Sequence, residues 1–250
     1  MKPLTYKAPN TYVINSKRAF LGNGILKASS IKNAFEFAYE MTFGKGHHRD
    51  YRSGGQSKRR QGELFSNVFQ GKLAEEALYH FLIPQGVTIS EIDYRVMGKS
   101  AWDDSDFVVN NKYINVKSAA FFSNLLLLEE KDWNKEGQYI PNLENGSKAQ
   151  YDIFVLIRLK PDIKGLLRRE KLMFSGRIEK EKLKHFVNAE MWHYDIPGFM
   201  THSDFVNNVI AKNQSLPQNA MLNGKIKMDA SNYYVQCGEL RKLEELYKFL

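Results

Sequence analysis

The sequence predicts an α/β protein: a central mixed sheet flanked by helices, with further α+β elements after residue 161. Three stretches carry that expectation. Apolar residues recur at helical spacing over 31–43 and 62–83. Tyr151–Lys160, YDIFVLIRLK, is a β-branched and aromatic run stopped by Pro161. Trp102–Ser118 reads as two strands joined at Asn110-Asn111, a pair that tolerates the positive φ of a tight hairpin turn. At 250 residues with 43% hydrophobic content the chain can build one substantial core. No repeat, low-complexity tract or linker divides it, so residues 1–250 read as one domain.

Along the chain, residues 1–28 show little periodicity beyond a short strand at Thr11–Ile14. Ser30 is suited to cap a helix from Ile31 to about Phe43, with Ile31, Ala34, Phe35, Ala38 and Met41 on one face. Gly44–Arg60, GKGHHRDYRSGGQSKRR, sets Lys45, Arg49, Arg52, Lys58, Arg59 and Arg60 against one acid, Asp50. Nothing in it can make a core, so it reads as a mobile basic loop and a candidate phosphate-contacting arm. His47 and His48 are adjacent, would not share a helix face, and receive no metal role. A second helix spans Gly62 to Ile83 and ends at Pro84 and Gly86. Gly71, costing about 1 kcal/mol mid-helix, suggests a break or a close backbone approach. Glu75 lies at the edge of the apolar stripe and Glu76 points further round.

Val87–Met97 reads as a strand leading into the hairpin, FFSNLLLL is ambiguous, and 129–149 is loop-rich. Residues 162–171 are basic, Leu172–Phe174 has strand character, and Glu179–Ala189 reads as a helix. Trp192–Met200 holds Pro197 and Gly198 and reads as irregular. His202–Asn213 reads as a helix, Tyr233–Gln236 as a strand, and Leu240–Leu250 as a final helix.

The hairpin holds the chemistry. With Asn110-Asn111 as the turn, Val109 pairs with Lys112, Val108 with Tyr113, Asp106 with Asn115 and Asp104 with Lys117. Opposed residues and residues two apart share a face, so Asp104, Asp106, Asn115 and Lys117 project together, against Phe107, Val109, Ile114 and Val116. Acids, an amide and an ammonium on an apolar hairpin are costly to hold without a use. A carboxylate, a second oxygen ligand and a lysine can hold a hard divalent cation beside a phosphodiester. The net charge of +8 points to an anionic partner, nucleic acid first. One cysteine, Cys237, excludes a disulfide framework and a Cys-rich zinc site. With no signal-peptide pattern and no apolar run long enough for a bilayer, a cytoplasmic protein with no membrane partner is expected.

From about Gly71 to Lys160 the chain resembles the PD-(D/E)XK nuclease superfamily. Asp106 is similar to its first metal-binding acid, and Asn115-Val116-Lys117-Ser118 to its acid-x-Lys element. Gly71-Lys72-Leu73-Ala74-Glu75, followed by Leu82 and Gly86, is similar to its preceding helix, whose glutamate faces the active site. Tyr151–Leu159 resembles its next core strand. The resemblance implies a restriction-endonuclease-like core over about 62–160, with 161–250 serving DNA recognition or dimerisation. It implies Asp106, Asn115, Lys117 and Glu75 as catalytic residues. Mg²⁺, with Mn²⁺ able to substitute, would be held by Asp106 and Asn115 with Glu75 or Asp104. The implied activity is a type II restriction endonuclease acting on double-stranded DNA as a homodimer. The chain departs from the pattern in lacking a proline before Asp106 and in carrying Asn115 where the family has Asp or Glu. Other readings left open are a junction resolvase or repair nuclease, a non-catalytic nucleic-acid-binding protein with a degraded site, and a structural protein in which Asp106 and Lys117 form an ion pair.

Overall fold

The structure, a computed structural model, describes residues 1–46, 51–96 and 105–250. Its elements run β1 (Thr5–Lys7), β2 (Thr11–Val13), β3 (Gly24–Ile25), α1 (Ala28–Phe43), α2 (Gln61–Leu82), β4 (Phe107–Val109), β5 (Lys112–Ala120), β6 (Leu125–Glu129), α3 (Ile140–Glu144) and β7 (Ile153–Lys160). They continue with α4 (Ile163–Arg169), α5 (Lys180–Asn188), β8 (His193–Thr201), α6 (His202–Asp204), β9 (Ser215–Leu216), β10 (Met221–Leu222), β11 (Ile226–Lys227) and β12 (Asn232–Gln236).

The organising layer is a curled mixed sheet of order β3-β8-β7-β5-β4, in which only β5 and β7 run parallel. The strands β7 and β8 are buried on both faces, and β5 is half-buried. Ile153, Val155, Ile157 and Leu159 of β7 pack with α1, α2, α4 and α5, while Phe154 and Leu156 enter a second cluster with Trp133, Phe205 and Val235. That second face is covered by an antiparallel sheet of order β6-β12-β9. A small sheet of order β1-β2-β10-β11 joins it through a third cluster around Leu4, Leu216 and Leu222. The leucine run of β6 is apolar throughout because Leu126 and Leu128 fill one cluster and Leu125 the other, with Leu127 packed beside it. Period-two patterning disappears when both faces are covered.

The strand β7 carries one buried charge, Arg158, which is 1% exposed, besides the exposed Lys160 at its end. All five of its N–H donors are used. Two go to Asp195 on β8 at 2.8 and 2.5 Å, and three to the carbonyls of Arg18, Ser123 and Ala19 at 3.0, 3.1 and 2.7 Å. Complete pairing is what makes a buried guanidinium tolerable.

Several local expectations change in the folded chain. Ser30 lies inside α1 rather than capping it, and its Oγ meets His80 Nε2 at 3.0 Å. Residues 87–96 form no strand, making only an isolated bridge between Ile89 and Val109. Leu172–Phe174 is a turn, not a strand; its carbonyls lie against Gly62 in the first turn of α2. Trp192–Met200, expected irregular, contains most of the nine-residue strand β8. Its Pro197 and Gly198 fit because the pairing with β7 shifts register there and because β3 pairs only with residues 193 and 194. Gly198, at φ 146°, also lets the Arg241 backbone come close enough to bridge Phe199. That bridge is why Leu240–Leu250 is not a continuous helix: Leu240 is extended, and only Leu243–Lys248 coils, as a 3₁₀ helix. The segment after α6 is wound as a π-helix over Phe205–Ile210. Among the described residues no helix is long and apolar enough to cross a membrane.

The two glycines of α2 have exchanged roles relative to expectation. A Cβ on Gly71 would meet nothing within 4 Å, whereas one on Gly62 would fall on the Leu172 carbonyl and within 2.7 Å of the Met173 carbonyl oxygen. Gly71→Ala is therefore expected to raise stability by about 0.5–1 kcal/mol, and Gly62→Ala to lower it by about 1–3 kcal/mol. Urea unfolding midpoints of the two variants check this; equal effects would mean that the turn 172–174 is not seated on the helix.

Candidate functional site

The hairpin forms with the expected turn. Asn110 and Asn111 take φ 47° and 61°, and Val109 pairs with Lys112, Val108 with Tyr113 and Phe107 with Ile114. The strand β4 stops at Phe107, one residue short of Asp106. Where the ladder would continue, the Asp106 carboxylate takes over: its Oδ2 accepts from the Val116 N–H at 2.6 Å. The partner expected for Lys117, Asp104, lies outside the described residues, as do Trp102 and Asp103.

Parallel pairing with β7 decides which way the polar residues face. Asn115 lies opposite Phe154 and Lys117 opposite Leu156, so both project to the face of the second cluster. Ile114 and Val116 project to the helical face, and Ser118 accepts from Gln70 Nε2 of α2 at 3.2 Å there. The hairpin thus brings Asp106, Asn115 and Lys117 together. Glu75 belongs to α2, and its carboxylate takes the Lys72 ammonium, whose charge is felt at Asp106, at 2.6 Å. Lys72 also donates to the Asp93 carbonyl at 2.8 Å and lies over the Phe37 and Tyr94 rings. Glu76 is the more buried of the adjacent pair, holding the Tyr94 hydroxyl and His80.

Electrostatically the hairpin is under-compensated. Burial pushes the Asp106 carboxyl above the ordinary carboxylate range, although Lys117, the Val116 amide and Lys72 pull the other way. Burial likewise draws the Lys117 ammonium below the ordinary lysine range, against Asp106, Asp132 and Glu129. In both cases lost hydration outweighs the attraction available inside the protein. Asn115 is 8% exposed, and its Oδ1 finds no hydrogen-bond partner among the described residues.

Tyr151, just before β7, belongs to this group and is not singled out by sequence reasoning. Burial and the Asp106 charge raise its hydroxyl well above the ordinary tyrosine range, while the nearby amides of Asn142 and Asn115 act in the opposite direction. The only sequence signal was position: Tyr151 opens the strand that lies beside the hairpin. Asn142, 1% exposed on α3, comes from a segment with no sequence signal at all.

Lys117 lines a cleft of about 1110 Å³ between the helical layer and the second sheet. Of the basic loop, Arg52 and Arg59 line the same cleft, Lys45, Lys58 and Arg60 are exposed, and Arg49 lies outside the described residues. The described part, 51–60, is tied down where a mobile arm was expected. Glu129 accepts from the Ser53 N–H at 2.7 Å and pairs with Arg52 at 3.5 Å, Asp229 accepts from Gln56 and Ser57, and Gly54 is held by Gln218.

Among the described residues no group of three or more His, Cys, Asp or Glu side chains converges as a metal cluster. The donors for a cation are one carboxylate, Asp106, and the unpartnered Asn115 Oδ1. These fit a hard ion such as Mg²⁺ or Mn²⁺, which needs only one or two carboxylates when substrate oxygens and waters complete its shell. Asn115→Asp places a second carboxyl in this desolvated hairpin, where its folded-state pKa is raised. The resulting cost is absent below the unfolded carboxyl pKa and grows as pH rises through the folded one. The variant should match the parent near pH 4 and fall about 2 kcal/mol below it at neutral pH, with Mg²⁺ restoring part of the loss. Unfolding midpoints across that range check it; a difference independent of pH would show that residue 115 is solvated. No protein family, curated protein or solved structure matches this chain.

Proposed function

We propose that the protein is a Mg²⁺-dependent endodeoxyribonuclease that hydrolyses phosphodiester bonds, of the type II restriction style, built on a core like that of the PD-(D/E)XK nucleases. The observation that carries this reading is the under-compensated pair on the hairpin. A desolvated carboxylate calls for a cation and a desolvated ammonium for an anion, and a metal-bound phosphodiester supplies both at once. Asp106 and the open Asn115 Oδ1 would hold the metal, whose chemistry is to activate a water and to offset charge on the phosphate. Lys117, with its ammonium drawn below the usual range, is suited to orient or deprotonate the attacking water and to stabilise charge developing on phosphate oxygens. Tyr151 and Asn142 lie beside the Asn115 amide and shape its surroundings. The Arg52 and Arg59 side chains supply backbone phosphate contacts that fix register without reading sequence. A homodimer on double-stranded DNA follows from the need to cut both strands.

One observation favours a second reading. Glu75 is engaged by Lys72 and Asn115 is neutral, leaving Asp106 as the one free carboxylate of the expected ligand set among the described residues. A non-catalytic nucleic-acid-binding protein would have this set.

Plasmid DNA incubated with the protein and Mg²⁺ is expected to yield discrete fragments. Lys117→Ala and Asp106→Ala should each lower the cleavage rate by roughly 10²–10⁴-fold with binding retained. Salt-sensitive binding without cleavage by the parent protein would establish the second reading, and undiminished cleavage by either variant would remove the hairpin from the active site.

A further inference from the structure

The cleft carries another group of charges that the hairpin chemistry does not use. Lys164 and Arg168 stand four residues apart on α4 and share a face, and Arg52 approaches from segment 51–60; all three line the cleft with Lys117. Two of the nearby carboxylates are engaged, while Glu63 and Asp132 also lie close to the cleft. Asp162 accepts from the backbone N–H groups of Lys164 and Gly165 at 3.1 and 3.0 Å, and Glu129 holds Arg52 and the Ser53 N–H. Among the described residues neither Lys164 nor Arg168 forms an ion pair. Burial and Arg52, with a smaller push from Arg168 and against Glu63 and Asp162, bring Lys164 down to about 8. Like charges gathered from two separate segments onto a partly desolvated wall repel one another unless an anion is shared between them.

We propose that Arg52, Lys164 and Arg168 form an anion subsite that binds a backbone phosphate of the nucleic acid other than the one attacked. Its assignment to nucleic acid rests on the nuclease reading above, because the same cleft carries Lys117. Two guanidinium forks and an ammonium match the oxygens of a phosphate, and charge-assisted bonds to all three remove the repulsion between them. Such a contact positions the strand and carries no sequence information.

Residue-specific acylation with acetic anhydride, read by peptide mass spectrometry, tests the subsite apart from activity. At pH 8 about half of Lys164 is neutral. An ordinary lysine is under about 1% neutral there, so Lys164 should react at least about tenfold faster than the other lysines. Pyrophosphate and a short double-stranded oligodeoxynucleotide should each slow that reaction at least about fivefold, while NaCl at matched ionic strength should not. Lys164→Gln should weaken pyrophosphate binding about tenfold and Lys164→Arg should keep it. Protection by pyrophosphate but not by the oligonucleotide upholds the anion subsite and overturns the nuclease reading. Protection by neither, with DNA cleavage intact, overturns the subsite and leaves that reading standing. Ordinary acylation of Lys164 without protection overturns the cluster itself.

Discussion

Everything at the site depends on the two-residue turn at Asn110-Asn111. Both residues sit in the left-handed region, at φ 47° and 61°, which asparagine reaches at much lower cost than a β-branched residue. This turn sets the register of β4 on β5. Side chains alternate with a period of two, so a slip of β4 by one residue would turn Asp106 to the helical layer, away from Asn115 and Lys117, and take Phe107 and Val109 out of it. The cost of burying a carboxylate there, and of exposing two apolar residues, favours the observed register. Pairing with β7 then seats Asn115 against Phe154 and Lys117 against Leu156.

Two charge systems on neighbouring strands, one buried and one half-buried, show opposite solutions to one problem. Arg158 and Asp195 are closed: every guanidinium donor has an acceptor within 3.1 Å. Asp106, Asn115 and Lys117 are left open, with an amide oxygen unpartnered among the described residues and both ionisable groups shifted towards neutrality by burial. The same sheet that satisfies an arginine completely could have satisfied these. Under-compensated polar groups of this kind are what marks the hairpin as a candidate functional site.

Glu129 links this site to the rest of the molecule. At the end of β6 it anchors Arg52 and the Ser53 amide, so a glycine-rich basic segment with no packing of its own is held along the cleft. Asp229 and Gln218 fasten the same segment from the C-terminal part of the chain. The held segment presents Arg52 towards α4 and turns a loosely patterned sequence into one wall of a cleft.

Short-range chemistry alone was enough for α1, α2, α5, the hairpin and β7, because each owes its form to helical or strand periodicity or to a turn that asparagine makes cheaply. It was enough also to place Asp106, Asn115 and Lys117 near one another on the hairpin, as its register does. It misread β8, where Pro197 and Gly198 are tolerated only because the strand bulges against β7 and meets β3 over two residues. It misread the last eleven residues, since the backbone of Arg241 is drawn into pairing with Phe199. Glu75 lay on the edge of an apolar stripe, yet whether it turns to the hairpin or to Lys72 depends on which face of the sheet α2 covers. Tyr151 and Asn142 joined the site through packing between segments distant in sequence. Local conformation follows from side-chain sterics and hydrogen bonding within a few residues; the choice of face, and therefore of partner, follows only from how the layers bury one another.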